Sequence, residues 1–429
     1  MIGDYKLLKR IRRLIFFGLK FCGLILWKLK LDTILSKFLG FMVIIYNKKE
    51  IIRNNQKISI LAMERTIFDE DIKALKEYPS NYNILVYPSL LRALLCEEVE
   101  GIWPEKEFKE QGTFYRNKEK YKFFYDRLSK IFYKTLNFIE SWTQNKVKII
   151  LTANIDYFQD YPWIAAIHEK NGKFVVIEKE SILYLRHEDR IKTRHEKNNF
   201  LFEGDAVLFY NNYAKEFYES LGTLNNAKTA VIGCPRVDRL MKLEKEKTSD
   251  FALLASFKGK LNMSEIFDDI LFVIDEDEQL RDTMIIKCKD GTDMQYVQDN
   301  YPRLNITNDA MENYLVKNPA IISGINTTAC LDALIMGIPV LVPWWGRATE
   351  AGKYALLGEH TSDFHSIAYD KESFVKILKD HINNINTQNF EKLKTIQNNK
   401  KMKKYIEDKY SLVDGKSCQR FFEFIDELL

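Results

Sequence analysis

The residues best placed for binding chemistry lie in a short polar turn between two apolar segments, residues 321–344. The apolar run stops at Ser323, and Asn326, Thr327 and Thr328 precede a predicted helix that carries Asp332. Hydroxyl and amide groups at a helix N-terminus, together with the free backbone N–H groups and the helix dipole, favour binding of an anion such as a phosphate. Because Thr328 and Asp332 are four residues apart, we expect both on one face of that helix, within reach of one ligand.

Carboxylates at the ends of other apolar runs are candidates for acid–base chemistry. Glu178 and Glu180 follow one predicted strand, and Asp156 follows another. A group that deprotonates a hydroxyl must be a positioned base, and a carboxylate suits that role. Glu180 is the first candidate for this base, Glu178 the second and Asp156 the third. In a mechanism with a covalent intermediate, one of them would instead act as the nucleophile.

The elements that must position these residues alternate between strands and helices. Six short apolar runs are predicted strands, at 57–63, 82–88, 147–153, 173–179, 205–211 and 228–233. After the charged stretch 242–250 a second series follows, at 251–257, 283–289, 303–307, 319–325 and 338–345. Runs that are apolar on both faces and separated by helices are typical of parallel sheets covered on both sides. The fold class predicted is therefore α/β, with two Rossmann-like parallel-sheet domains facing across a cleft.

Length and pattern together predict four regions in the 429-residue chain. They are a membrane-associating helical segment at 1–50, an N-terminal domain at 51–245 with a helical insertion at 99–146, a C-terminal domain at 246–385, and C-terminal helices at 386–429. The insertion is rich in lysine and aromatic residues. Its aromatic side chains pack inward in one interpretation and contact the acceptor or a membrane in the other.

The N-terminal region combines positive charge with apolar side chains. Eleven Lys and Arg residues lie between Lys6 and Lys49, and the most apolar stretch, 14–27, is fourteen residues long with Lys20 at its centre. A membrane span needs about 20 apolar residues. The pattern therefore predicts a peripheral anchor on an anionic membrane surface, with a helix packed on the domain and a true span as the alternatives.

Overall charge and cysteine usage narrow the functional classes. The net charge is +4, with 64 basic and 60 acidic residues, so the balance gives no support for a nucleic-acid partner. Six cysteines lack disulfide or metal-ligand spacing, which indicates a cytoplasmic protein with reduced thiols. The acidic triplets 69–71 and 275–277 are interpreted as solvated charge, His168 as structural, and His187 and His195 as part of a charged loop.

Three segments in chain order resemble a known family. The segment SGINTTACLDALIMGIPVLVP (323–343) is similar to the donor-site signature of GT-B glycosyltransferases, VIGCPRVDRL (231–240) to their Gly-x-Pro-Arg-x-Asp segment, and MIIKCKDGTD (284–293) to a strand that contacts donor phosphates. The match is greatest with bacterial enzymes of capsule and lipopolysaccharide synthesis. Two departures are Lys287-Cys288-Lys289-Asp290 where a histidine motif is usual, and Asp332 where glutamate is usual.

The resemblance implies transfer of a sugar from a nucleotide-sugar donor to a surface polysaccharide or a lipid-linked glycan, without a cofactor or a metal, on the inner face of the cell membrane. The implied donor-binding residues are Lys287, Lys289, Ser323, Asn326, Thr327, Thr328 and Asp332. Arg236 is either a clamp on the phosphates or a strut between domains. The alternatives are a nucleotide-sugar 2-epimerase, a polyol-phosphate transferase of the same architecture, and a non-catalytic scaffold for glycan assembly.

Overall fold

The computed structural model describes residues 18–19, 21–53, 58–65, 68–91, 118–178, 187–247, 249–257, 263–289, 291–384 and 399–429. By their internal contacts these residues belong to two units. The first contains residues 1–181, 189–236 and 416–429, and the second contains residues 182–188 and 237–415. Helix Ser417–Leu428 therefore belongs to the first unit, although most of the preceding 180 residues belong to the second.

The first unit contains a six-stranded, fully parallel sheet in the order β2-β1-β3-β4-β5-β6. Its strands are β1 (Ile58–Met63), β2 (Tyr82–Tyr87), β3 (Val147–Ala153), β4 (Lys173–Glu178), β5 (Ala206–Phe209) and β6 (Lys228–Val231). Five of the six residues of β1, β2 and β4 are buried, as expected for strands covered on both faces.

The second unit contains another six-stranded parallel sheet, in the order β12-β11-β10-β7-β8-β9. Its strands are β7 (Ser249–Ala255), β8 (Met284–Lys287), β9 (Asn305–Thr307), β10 (Pro319–Ser323), β11 (Val340–Pro343) and β12 (Ser366–Ala368). The predicted α/β class with two Rossmann-like parallel sheets is confirmed. Strand β12 was not predicted, because its three residues form no apolar run.

Helices connect the strands of both sheets. In chain order the α-helices whose full bounds the structure describes are α1 (Asp32–Tyr46), α2 (Lys48–Arg53), α3 (Asp69–Glu77), α4 (Lys118–Thr143), α5 (Tyr161–His168), α6 (His187–Asn198), α7 (Asn212–Ser220), α8 (Pro235–Lys242), α9 (Ser264–Glu276), α10 (Glu278–Thr283), α11 (Gly291–Asn300), α12 (Glu312–Val316), α13 (Thr328–Ile335), α14 (Lys371–Asn383), α15 (Lys400–Lys409) and α16 (Ser417–Leu428). Within the described part of the chain, none of the helices is both long and apolar enough to cross a membrane.

Helix α1 packs along the long helix α4 of the first unit. Arg127 of α4 donates to both carboxylate oxygens of Asp32, at 2.6 and 3.1 Å, and its guanidinium lies 3.6 Å from the centre of the Trp27 ring. Farther along, a Cβ on Gly40 would lie 2.6 Å from the Phe138 ring, so a glycine is needed for this close approach of the helices. Residues 27–40 are therefore packed on helix α4 of the first unit.

Each sheet has a point where the chain reverses the direction in which it adds strands. In the first sheet, β2 lies on one side of β1 and β3 on the other; in the second, β8 lies on one side of β7 and β10 on the other. The loops after two neighbouring strands then diverge to opposite faces of the sheet, and ligands of open α/β sheets bind in the crevice that this leaves. We therefore expect a ligand-binding site near the loops that follow β7 and β10, or near those that follow β1 and β3.

Candidate functional site

The polar turn predicted from the sequence follows β10 at the reversal point of the second sheet. Ser323, the last residue of β10, is fully buried, and Gly324 follows it. A Cβ on Gly324 would lie 2.7 Å from Thr327 Cγ2 and 3.2 Å from Cys330 Sγ. Glycine is thus required here because the turn folds back tightly against the start of α13.

The hydroxyl of Ser323 has no hydrogen-bond partner among the described residues. Buried hydroxyl groups in proteins are nearly always hydrogen-bonded, to protein, to water or to a ligand. The Ser323 hydroxyl lies at the carboxyl end of a central strand, the end of an open parallel sheet at which ligands bind.

Asn326 fixes the shape of the turn. Its φ is +47°, a left-handed conformation that asparagine tolerates better than most residues. Its side-chain oxygen accepts the backbone N–H of Leu356 at 2.8 Å. The side chain of this predicted donor-binding residue therefore connects the turn to the segment that follows β11.

Helix α13 begins directly after the turn. Thr327 is the N-cap residue with extended backbone, but its side chain makes no capping hydrogen bond, and Thr328 is the first helical residue. Both threonines are partly exposed. The Cys330 N–H donates to the Thr327 carbonyl at 3.1 Å, so the N–H groups of Thr328 and Ala329 are the ones left at the start of the helix for other acceptors.

Asp332 lies on the buried side of α13. Its Oδ1 accepts the hydroxyl of Tyr410 at 2.7 Å, and only 6% of the residue is exposed. The structure thus gives this predicted donor-binding carboxylate a partner from the segment after α15.

The ends of β7 and β8 contribute a second polar group at the same edge of the sheet. Ser256, which follows β7, donates its hydroxyl to Asp293 Oδ2 at 2.7 Å, and the same oxygen accepts the Lys289 N–H at 3.3 Å. Lys287 Nζ donates to the Cys288 carbonyl at 2.8 Å, and the Lys289 side chain is exposed. Lys287 is the last residue of β8, the strand adjacent to β7, and Lys289 follows two residues later.

Ser256 and Asp293 were not among the predicted site residues. The signal available in the sequence was that Ser256 directly follows an apolar strand, in the same way as Ser323. A single serine after a strand was too weak a signal without knowledge that β7 and β10 are neighbours.

The predicted catalytic carboxylates belong to the first unit. Glu178, the last residue of β4, is buried, and its Oε2 accepts the backbone N–H of Ile155 at 3.0 Å. Asp156 is also buried and forms an ion pair with the guanidinium of Arg194. Glu178 thus holds the loop after β3 that carries Asp156. Glu180, the first candidate for the base, lies outside the described residues.

A buried ion pair lies at the reversal point of the first sheet, and sequence reasoning missed it. Arg65, which follows β1, donates to Asp160 Oδ2 at 2.5 Å, and the Thr152 hydroxyl donates to the same oxygen at 2.5 Å. The Arg65 guanidinium also lies 3.7 Å from the centre of the Tyr157 ring. A charged pair that is buried between the ends of β1 and β3 places fixed charge where ligands of such sheets bind.

Arg236, near the start of α8, belongs to the first unit and is largely buried. Its backbone N–H donates to Asp71 Oδ1 at 3.1 Å, and its guanidinium is 4.0 Å from Glu70. The hydroxyl of Tyr210 donates to the other Asp71 oxygen at 2.7 Å, and burial raises the pKa of the Asp71 carboxyl. The interpretation of triplet 69–71 as solvated charge is therefore wrong for Asp71, which is a buried structural acceptor.

The other charged residues considered from the sequence have structural partners. Asp275 pairs with Arg303 at 2.6 Å, and Asp277 accepts the Leu280 N–H as the N-cap of α10. His195 lies in helix α6 rather than in a loop and is buried, and burial, followed by the charge of Arg194, lowers its pKa to about 3. In the part of the chain that the structure describes, no three His, Cys, Asp or Glu residues are grouped so as to hold a metal ion.

Comparison with known proteins gives similarity to solved structures. No family model matches the chain, and no curated protein matches its sequence. The wall teichoic acid polymerase TagF is similar over 96% of this chain and 97% of its own, with 10% identity and a TM-score of 0.49. A glycosyltransferase from Rickettsia africae is similar over 87% of this chain and 98% of its own, with 14% identity and a TM-score of 0.47. The S. aureus protein MnaA, whose structure was solved with UDP, is similar over 87% of this chain and 98% of its own, with 12% identity and a TM-score of 0.45.

Proposed function

We propose that this protein is a glycosyltransferase that moves a sugar from a nucleotide-sugar donor to a surface polysaccharide or a lipid-linked glycan. The observation that carries the proposal is the turn 323–328 after β10, where an unpaired buried Ser323 hydroxyl and the N-terminus of α13 lie at the reversal point of a parallel sheet. This arrangement suits the phosphates of a nucleotide better than an uncharged ligand.

The donor's phosphates are held, in this proposal, by Ser323, Thr327, Thr328 and the first amides of α13. Lys287 and Lys289, at the end of β8, neutralise charge that develops on the leaving nucleotide. Asn326 acts through the backbone, since its side chain already accepts the Leu356 N–H. Asp332, which Tyr410 engages, is the proposed partner of the ribose hydroxyls.

The first unit supplies the acceptor site and the base. Transfer without a covalent intermediate needs a group that takes the proton of the acceptor hydroxyl. Glu180 remains the proposed base. Glu178 is better suited to positioning, because it is buried and its oxygen accepts the Ile155 N–H. Asp156, paired with Arg194, is the proposed alternative base.

We also propose that the protein binds peripherally to the inner face of the cell membrane through its N-terminal segment. Helix α1 buries Leu35, Leu39 and Val43, yet its opposite side exposes Ile34, Phe41 and Ile45 to solvent. A helix that is apolar on both sides needs a second apolar environment. The five exposed charged residues among described residues 21–49 are all lysines, at positions 28, 30, 37, 48 and 49, which complements anionic lipid headgroups.

The decisive experiment follows nucleotide release from UDP-, GDP-, CMP- and CDP-linked sugars, with and without a lipid-linked acceptor. A transferase releases nucleotide and extends the acceptor. Conversion of the donor into its nucleotide-linked C2 epimer, with no extended acceptor and no net release of nucleotide, would identify an epimerase instead. Transfer of a polyol phosphate from a CDP-linked donor would identify a polyol-phosphate transferase, and inactivity with every donor would favour a scaffold.

The proposed base is tested by Glu180→Gln. This variant keeps the size of the side chain but loses the proton acceptor, so we expect donor binding to persist and turnover to fall by at least about a hundredfold. Unchanged turnover would remove Glu180 from the mechanism and leave Asp156→Asn as the next variant to measure.

A further inference from the structure

A cavity of about 800 Å³, lined by both polar and apolar residues, lies in the first unit beside the edge strand β2. Its lining includes Tyr82, Asn83 and Ile84, which form the amino-terminal half of β2. The candidate acceptor residues follow the carboxyl ends of β3 and β4, so the cavity is at the opposite end of the strands. No part of the proposed transfer mechanism uses it.

Side chains already pair with the open edge of β2 near both ends of the strand. Near the carboxyl end, Asn47 accepts the Val86 N–H at 2.8 Å and donates to the Val86 carbonyl at 2.8 Å, as a neighbouring strand would. At the amino end, the Ser80 hydroxyl contacts both the N–H and the carbonyl of Tyr82, at 3.4 Å. Between them only Ile84 has its backbone groups on the open edge.

The orientation of Ile84 follows from the alternation of a parallel strand. Val86 faces outward, to Asn47, whereas the Tyr87 carbonyl faces inward and accepts the Glu64 N–H at 3.0 Å. Two residues before Val86, the N–H and carbonyl of Ile84 therefore face outward, and none of the described residues pairs with them. Because Ile84 also lines the cavity, one donor and one acceptor lie side by side at its wall.

Asn83 adds a second donor. Its side-chain Nδ2 is buried and has no hydrogen-bond partner in the described part of the chain, although 99% of the residue is shielded from solvent. Such a group costs about 1–3 kcal/mol when nothing pairs with it. A ligand with an oxygen acceptor would satisfy it.

The charge and shape of the lining identify the class of ligand. Two lysines, Lys73 and Lys76, balance two glutamates, Glu50 and Glu77, and the Lys76–Glu50 pair is 2.8 Å apart. The absence of net charge in the lining gives no advantage to an anion. Hydroxyl groups, which both donate and accept, match the adjacent N–H, carbonyl and amide groups, and an aromatic wall formed by Tyr78 and Tyr82 suits the apolar face of a sugar ring.

A peptide added as a further strand fits less well. Strand addition uses a row of unpaired backbone groups, and Asn47 and Ser80 leave only those of Ile84. The tyrosine rings are also fixed in place, since both stack on Phe422 of α16 with ring centres 5.5 and 5.8 Å apart. A short, rigid site with hydrogen-bond donors and acceptors suits a single sugar unit, which carries several hydroxyl groups.

We propose that this cavity is a second glycan-binding site, which takes a neutral sugar unit of the acceptor chain away from the reacting end. That the sugar belongs to the enzyme's own acceptor rests on the proposed function. That the ligand is a sugar rests on the residues of the cavity itself. Such a site would keep a growing chain attached between transfers.

The test measures binding of neutral hexose and N-acetylhexosamine tri- to hexasaccharides by saturation-transfer NMR, and amide hydrogen exchange across residues 80–86 with the best member. We expect binding, slower exchange of the Ile84 N–H, and about tenfold weaker binding in Asn83→Val. The double variant Lys73→Ala/Glu77→Ala changes only exposed side chains at the rim of the cavity and should also weaken sugar binding. It keeps the test valid even if Asn83→Val does not fold. Its basal nucleotide release should be unchanged.

The inference is overturned if no neutral oligosaccharide binds, if an extended peptide binds in their place, or if both variants bind as well as the wild type. Sugar binding is measured without donor, and Ser323→Ala should leave it intact. If the protein binds sugar but turns over no donor, the proposed transferase activity is refuted and this site stands. If it turns over donor but binds no neutral sugar, this site is refuted and the transferase activity stands.

Discussion

The side-chain oxygen of Asn326 accepts the backbone N–H of Leu356 at 2.8 Å, across 30 residues of sequence. Because Asn326 also has a φ of +47°, one residue both turns the chain after β10 and attaches the turn to the segment after β11. The shape of the candidate phosphate site thus depends on a single buried amide.

Replacing Asn326 by leucine should therefore reduce stability and donor binding together. We expect the free energy of unfolding to fall by about 2–4 kcal/mol, because leucine is strained at this φ and the Leu356 N–H loses its acceptor. Urea denaturation measures this change. The control is Asn326→Gly, which accepts the φ but not the hydrogen bond and should lose only about 1–3 kcal/mol. Equal losses in the two variants would contradict a role for the left-handed backbone.

Ser323→Ala should separate ligand binding from stability. In the free protein the hydroxyl has no partner among the described residues, so its removal should leave the melting temperature unchanged or slightly higher. Affinity for a nucleotide-sugar should fall by about tenfold if the hydroxyl donates to a phosphate. Calorimetric titration with each nucleotide-linked donor measures this.

The matched control for that variant is Ser59→Ala. Ser59 of β1 is likewise fully buried, with a hydroxyl that is unpaired within the described residues, but it belongs to the first sheet. Its replacement should leave donor affinity unchanged. A comparable loss of affinity in both variants would show that the effect of Ser323→Ala is not local.

Removing only one partner of the Arg65–Asp160 ion pair should strongly reduce the free energy of unfolding. Both residues are about 95% buried or more, so Arg65→Met leaves an uncompensated carboxylate and should cost about 3–5 kcal/mol. The double variant Arg65→Met/Asp160→Asn should lose clearly less than the sum of the two single losses. Additive losses in urea denaturation would mean that the two side chains do not interact energetically.

Buried His195 should make the protein less stable in acid. Burial, and secondarily the charge of Arg194, lower its pKa to about 3, whereas an unfolded histidine titrates near 6.5. Below pH 6.5 the unfolded chain takes up a proton that the folded chain does not, so stability falls as the pH drops from 6.5 towards 3 and is constant with respect to this group above 6.5.

At pH 5 the contribution of this histidine corresponds to a loss of about 2 kcal/mol relative to pH 7.5. Denaturation of the wild type and of His195→Gln at both values measures it. The variant should be less stable at pH 7.5 but should lose less on acidification. The same slope in both proteins would place the titrating group elsewhere.

The outer side of α1 should carry the affinity for membranes. Phe41 and Ile45 are 46% and 52% exposed, and burying two such side chains in lipid contributes about 2–4 kcal/mol. We therefore expect Phe41→Ser/Ile45→Ser to weaken binding to phosphatidylglycerol vesicles by about thirtyfold or more, as measured by flotation. The control Phe272→Ser changes an exposed aromatic residue of the second unit and should bind as the wild type does. Full binding by the double variant would exclude this side of α1 as the contact.

Most of the secondary structure could be predicted from the pattern of apolar and polar residues along the chain. Eleven of the twelve strands were predicted, because runs such as 147–153 are apolar on both faces and end at polar residues. The candidate turn was readable for the same reason: Ser323, Asn326 and Thr327 interrupt two apolar segments. The two local predictions that were wrong have local causes. Strand β12 was missed because its three residues form no apolar run, and His195 was placed in a loop because the sequence of its helix is highly charged.

The amino-acid sequence by itself determined which segments form strands and helices, because that depends on the periodicity of neighbouring side chains. Only the tertiary structure decided that β7 lies beside β10 and β1 beside β3, and so that Ser256 and Arg65 follow strands at the reversal points. It also decided that Glu178 holds the Ile155 amide and that Asp71 is buried. Pairing of strands and burial of charge depend on contacts between residues far apart in the chain, which no local pattern encodes.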